Sequence, residues 1–82
     1  MKIDAKVEFK DTVAEELDRS FVRVPVDIDY VEADEDDIIS WITDELENMF
    51  GRTFCSEDFK VSNMTELVEE IKFDEFKDKT EV

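Results

Sequence analysis

Ten carboxylates, Asp27, Asp29, Glu32, Asp34, Glu35, Asp36, Asp37, Asp44, Glu45 and Glu47, fall between Arg23 and Arg52 with no Lys, Arg or His among them. Carboxylates grouped in this way can do three things: ligate a hard cation, share a proton in acid–base catalysis, or present a polyanionic surface to a basic partner. The surrounding residue types decide among these. The chain has no His, which removes Ser–His and Cys–His nucleophile pairs and the commonest transition-metal ligand. Gly51 is the single glycine, so there is no Gly-rich phosphate loop. Asp34, Asp36 and Asp37 lie close together, but a helix–loop–helix calcium site needs a Gly at its sixth position, and none precedes Gly51. The sequence therefore calls for no catalytic residue, no metal and no cofactor. What remains is the charged surface.

The whole chain of 82 residues carries 25 acids against 10 bases, a formal net charge of -15. A field of one sign repels nucleic acid and anionic membrane and attracts basic surfaces. Apolar residues make up 41%, seven Phe among them, which is too many for a disordered acidic tail. One compact acidic domain spanning residues 1–82 is expected. Cys55 is alone, so no internal disulfide forms, and a small buried hydrophobe in a reducing compartment is its plain reading, ahead of a reactive thiol. Residues 1–9 alternate charged and apolar types, unlike a signal peptide, and no apolar run approaches the ~20 residues of a membrane span. A soluble, cytoplasmic protein is the expectation.

Several elements must position the acids. From Lys2 to Lys10, Ile3, Ala5, Val7 and Phe9 alternate with charged residues, the period-two pattern of a strand with one buried face. Phe21 to Glu32 alternates likewise, with Val22, Val24, Val26, Ile28 and Tyr30 on one side and Pro25 on the other, which suits an edge strand or one bent at Pro25. The ten residues between them are short for a parallel crossover, so an antiparallel pair joined by a loop or a short helical turn is expected. Asp34 reads as the N-cap of a helix ending at Gly51, with Glu35, Asp36 and Asp37 in the first turn, where the helix dipole favours anions. Ile38, Ile39, Ile42, Leu46, Met49 and Phe50 form its apolar stripe.

Arg52 to Val61 reads as one or two short extended pieces around a turn at Ser56–Asp58. Asn63 and Glu66 resemble a capping box for a second helix carrying Met64, Leu67, Val68 and Ile71. Phe73 and Phe76 fall off that stripe, which predicts an end or a change of direction near Lys72. The fold class is α+β: a small antiparallel sheet of two or three strands with two main helices packed on one face.

On the first of these helices Asp37, Ser40, Asp44 and Glu47 lie opposite the apolar stripe, and Asp37 to Asp44 spans ~10 Å, on the scale of phosphate spacings along a strand. Trp41 sits about 120° from the centre of the stripe. Exposed there, it would anchor an interface; covered, it would widen the core. Asp27 and Asp29 share the outward face of the second strand, with Glu32 and Asp34 at its end. The candidate partner-binding residues are thus Asp27, Asp29, Glu32, Asp34, Glu35, Asp36, Asp37, Trp41, Asp44 and Glu47.

In size, acidity and lack of catalytic residues, with the base-free stretch Asp27–Glu47 at its centre, the chain resembles the small phage-encoded DNA-mimic and anti-CRISPR inhibitor proteins. That resemblance implies a phage or mobile-element origin, host cytoplasm as the place of action, and a basic nucleic-acid-binding target such as a CRISPR effector nuclease, a restriction enzyme or a transcription factor. The other reading of the residues is an acidic protein–protein interaction or phage assembly or adaptor protein, with homodimerisation possible and no nucleic-acid connection.

Overall fold

A computed structural model describes the backbone of residues 2–80 and the side chains of residues 2–73. Strand β1 (Lys2–Phe9) buries Ala5, Val7 and Phe9 and leaves Lys2, Asp4, Lys6 and Glu8 exposed, as its alternation requires. Strand β2 (Phe21–Asp27) pairs with it antiparallel, and the register Ile3↔Val26, Ala5↔Val24 and Val7↔Val22 places β-branched side chains together on the inner face. The link between them is a helix of two turns, α1 (Asp11–Leu17), which buries Val13 and stops where Asp18 turns left-handed at φ 54°. Aspartate accepts that conformation more readily than most residues. A short strand β3 (Phe59–Val61) pairs antiparallel with the other side of β1, giving the order β2-β1-β3. The architecture is the α+β layer expected.

Helix α2 (Glu35–Phe50) begins and ends as its residues dictate. The Asp34 side chain accepts a hydrogen bond from the Asp36 N–H, and Gly51 adopts φ 64° with its N–H donating to the Glu47 carbonyl. Ile38, Ile42 and Leu46 are fully buried against the sheet, with Ile39 and Phe50 at the flanks, while Met49 at the far end of the stripe is exposed. Helix α3 (Met64–Thr80) adds Leu67 and Ile71 to the same core. Phe9, Phe50 and Phe54 close one end, their ring centroids 5.8–6.1 Å apart. The helices cover one face of the sheet, and the other face is open.

Cys55 is exposed rather than buried as a small hydrophobe, and three further expectations need correction. First, β2 stops at Asp27 rather than Glu32. The Asp27 carboxylate accepts the Asp29 N–H at 3.2 Å and its carbonyl accepts the Tyr30 N–H at 3.1 Å, so a side-chain-closed turn replaces the strand. Ile28 and Val31 still reach the core, but Tyr30 is thrown outward instead of sharing their face. Second, α3 runs on past Lys72 to Thr80 with no break, and Phe73 is simply exposed; the Phe76 side chain lies outside the described residues. Third, the Asn63 side chain does not serve its own helix. Its Oδ1 accepts the Lys6 N–H at 2.8 Å and its Nδ2 donates to the Asp4 carbonyl at 3.0 Å, so the amide prolongs the β1–β3 ladder by one step beyond Val61.

An acidic corner built from a turn and the start of a helix

The ten predicted residues fall into two groups once their partners are known. Asp27 ends β2, and Asp29, Glu32, Asp34, Glu35, Asp36 and Asp37 follow in the turn after it and at the start of α2. This corner is tied together by its own carboxylates. Besides the Asp27 and Asp34 bonds already described, the Asp37 Oδ2 accepts the Glu32 N–H at 2.8 Å, which pins the turn to the helix. Asp44 lies two turns further along the outer side of α2. Glu47 turns away from this face: its Oε2 accepts the Phe54 N–H at 3.0 Å, a bond that holds the chain after Gly51 against the helix end.

Asp27, Asp34, Asp37 and Glu47 therefore have architectural work. Glu32, Glu35, Asp36 and Asp44 have exposed side chains that no hydrogen bond or ion pair engages among the described residues. No polar or charged residue among those described is buried, so the negative field is a surface field throughout. Asp27 and Asp29 do not share a strand face as expected, because Asp29 sits in the turn that ends the strand.

Trp41 is not the free anchor that its place on the helical wheel allowed. It is half-buried against the core, and its Nε1 donates to the Pro25 carbonyl at 3.1 Å. The reason lies in the sheet. Asp4 and Lys6 turn their backbone groups toward the β3 side, where Asn63 and Ser62 engage them. Their partners Pro25 and Arg23 must then face the free edge of β2. Proline has no N–H to waste there, and the indole of Trp41 satisfies its carbonyl. The wide-core reading of Trp41 is the one realised, and Trp41 with Pro25 closes the middle of an edge that would otherwise invite another strand.

The aromatic that does stand in the acidic corner is Tyr30, with 77% of its surface accessible. Reading the alternation through to residue 30 hid it; the Asp-Ile-Asp signal for a turn was present at residues 27–29.

Two described bases border the corner, Lys2 cross-strand from Asp27 and Lys72 lining a hollow with Ala33 and Glu35, and the other described bases stand away from it. Lys2, Lys6, Arg23 and Lys60 occupy outward positions on the open sheet face. Arg19 and Arg52 lie over the Phe50 and Phe54 rings at 5.9 and 4.9 Å, beyond the C-terminal end of α2, and Arg52 pairs with Glu16. No cation lies on α2 or in the turn before it. Among the described residues no group of three or more Cys, Asp or Glu converges to hold a metal ion, and no helix is long and apolar enough to cross a membrane. No protein-family model, curated protein or solved structure matches the chain.

Proposed function

We propose that this protein is an inhibitory binding module that seats the acidic corner and the outer side of α2 in the cationic groove of a nucleic-acid-binding protein, in the manner of a DNA mimic. The observation that carries this reading is segregation. Seven carboxylates lie in residues 27–37 and none of the ten bases does. Lys6, Arg23 and Lys60 lie on the open sheet face, and Arg19 and Arg52 beyond the far end of α2. Among the described residues only Lys2, beside Asp27, and Lys72, beside Glu35, border the corner. Charge spread for solubility alone has no need of such sorting.

The mechanism is steric and electrostatic. Glu32, Glu35, Asp36 and Asp44 pair with Arg and Lys that otherwise hold phosphates, and their placement on a hydrogen-bonded turn and a capped helix spares the ordering cost a flexible tail would incur. Tyr30 takes the aromatic role first given to Trp41, because a tyrosine ring stacks on a guanidinium while neighbouring carboxylates pair with it. Association is fast at low salt and slows as salt screens the field. A phage or mobile-element source and action in the host cytoplasm follow from the same reading, with a CRISPR effector, a restriction enzyme or a transcription factor as the target type.

Affinity capture from extracts of the source cells, with a duplex oligonucleotide as eluant, tests it. A retained protein that the duplex releases, and that the Glu35→Gln/Asp36→Asn/Asp44→Asn variant fails to hold, is the expected result. Retained proteins indifferent to the duplex would instead favour an adaptor or assembly role.

A further inference from the structure

The open face of the sheet has a pattern of its own. Along the central strand, its outward residues run Lys2, Asp4, Lys6, Glu8, all exposed. Reversed and laid over itself about Ala5, this row matches its opposite: Lys2 falls on Glu8 and Asp4 on Lys6. A twofold axis lying between two sheets, across the strands, produces that reversal, and a contact across such an axis uses the same patch on both copies. We propose that this face is a self-association surface whose occupant is a second copy of the chain, β1 stacked antiparallel on the partner's β1, with four ion pairs formed across the axis.

Two further observations point the same way. Lys6 stands directly across from Arg23 on this face, a like-charge neighbour pair that costs stability in the lone molecule. Neither Lys6 nor Arg23 has an ion-pair partner among the described residues, and Asp4 of a second copy would lie over Lys6.

The arrangement also keeps the acidic helix layers apart. Sheets stack about 10 Å from one another and each helix layer adds about 10 Å outside, so the two acidic sides are more than two Debye lengths apart at ~0.15 M salt. Three strands offer roughly 400 Å² per copy against about 800 Å² in a standard interface, so the pair is weak, with Kd on the order of 10⁻⁴ M. This contact uses the open sheet face, touches the acidic corner only where Lys2 neighbours Asp27, and does not depend on the proposed groove.

Sedimentation equilibrium up to about 1 mM protein tests the proposal, with circular dichroism to check folding. Lys6→Asp sets the introduced carboxylate against Asp4 of the other copy at two symmetry-related places and weakens association at least about tenfold. Adding Asp4→Lys restores the match with the net charge of the natural chain, and association returns. Lys2→Glu with Glu8→Lys is a second charge-conserving exchange with the same expected outcome, read together with urea unfolding because it also sets like charges beside Asp27 and Lys60 within the single chain. A natural chain monomeric at ~1 mM, a Lys6→Asp variant that associates equally well, or exchanges that fail to restore association would each overturn the proposal.

Discussion

Trp41→Phe separates a structural strap from an interface anchor. Phenylalanine keeps most of the ring packing over β2 but removes the indole N–H, so the Pro25 carbonyl loses its 3.1 Å donor. A hydrogen bond of this kind is worth about 1 kcal/mol net, and the edge position lets water partly replace it, so the loss stays near that value. Trp41→Ala also removes the packing. A fully buried aromatic truncated to alanine costs about 3–5 kcal/mol, and a half-buried ring about half of that, so with the hydrogen bond the total is about 3 kcal/mol. With a urea m-value of ~1 kcal/mol/M for a domain of this size, the midpoint falls by ~1 M for Phe and ~3 M for Ala. Urea unfolding followed by circular dichroism measures both, since the variants lack the single Trp. Binding of an octa-arginine peptide, a surrogate for a cationic groove, should stay within twofold for the Phe variant. An unchanged urea midpoint with a tenfold loss of peptide binding would refute the strap and return Trp41 to the interface.

Tyr30→Leu tests the exposed aromatic in the same titration. The natural chain should prefer octa-arginine to octa-lysine by several-fold, because the planar guanidinium stacks on the ring as well as pairing with carboxylates, and the variant should lose the stacking part of that preference while its octa-lysine affinity changes less. Equal affinity of the natural chain for both peptides would remove Tyr30 from the mechanism while leaving the charged face intact. Asn63→Asp keeps the acceptor for the Lys6 N–H but loses the donor to the Asp4 carbonyl, and should cost about 1 kcal/mol in thermal unfolding, or roughly 4–8 °C. A side chain that merely capped α3 would tolerate the change, because Asp caps as well as Asn.

The elements most legible in the sequence were those whose local signals agree. Asp34, the acidic first turn, the Ile38–Leu46 stripe and Gly51 all specify α2, and the structure uses each of them as its chemistry suggests. Strand β1 was equally readable from strict alternation. Failures came where two signals competed. At residues 27–30 the apolar period continued while the Asp-Ile-Asp turn had already ended the strand, and side-chain closure won. Asn63 offered a local cap, yet the open backbone groups of β1 claimed its amide; that need arises only after the sheet has formed. Trp41 was undecidable from its helix alone, because its partner is a carbonyl on another element, left exposed by the pairing register. The acidic stretch was visible at once. Which of its carboxylates are engaged at home and which face outward was not, since that division depends on backbone N–H groups whose positions only the fold sets.

The salt dependence of octa-arginine binding, titrated from about 50 to about 300 mM NaCl, tests the arranged acidic face most directly. Two triple variants of identical net charge are compared: Glu35→Gln/Asp36→Asn/Asp44→Asn on the proposed face, and Glu15→Gln/Glu57→Gln/Glu66→Gln at exposed positions outside it. The first should weaken binding about tenfold or more at low salt and flatten its salt dependence, while the second stays within about twofold of the natural chain. Equal losses in both would mean that total charge alone governs binding, and the docking face would have to be abandoned.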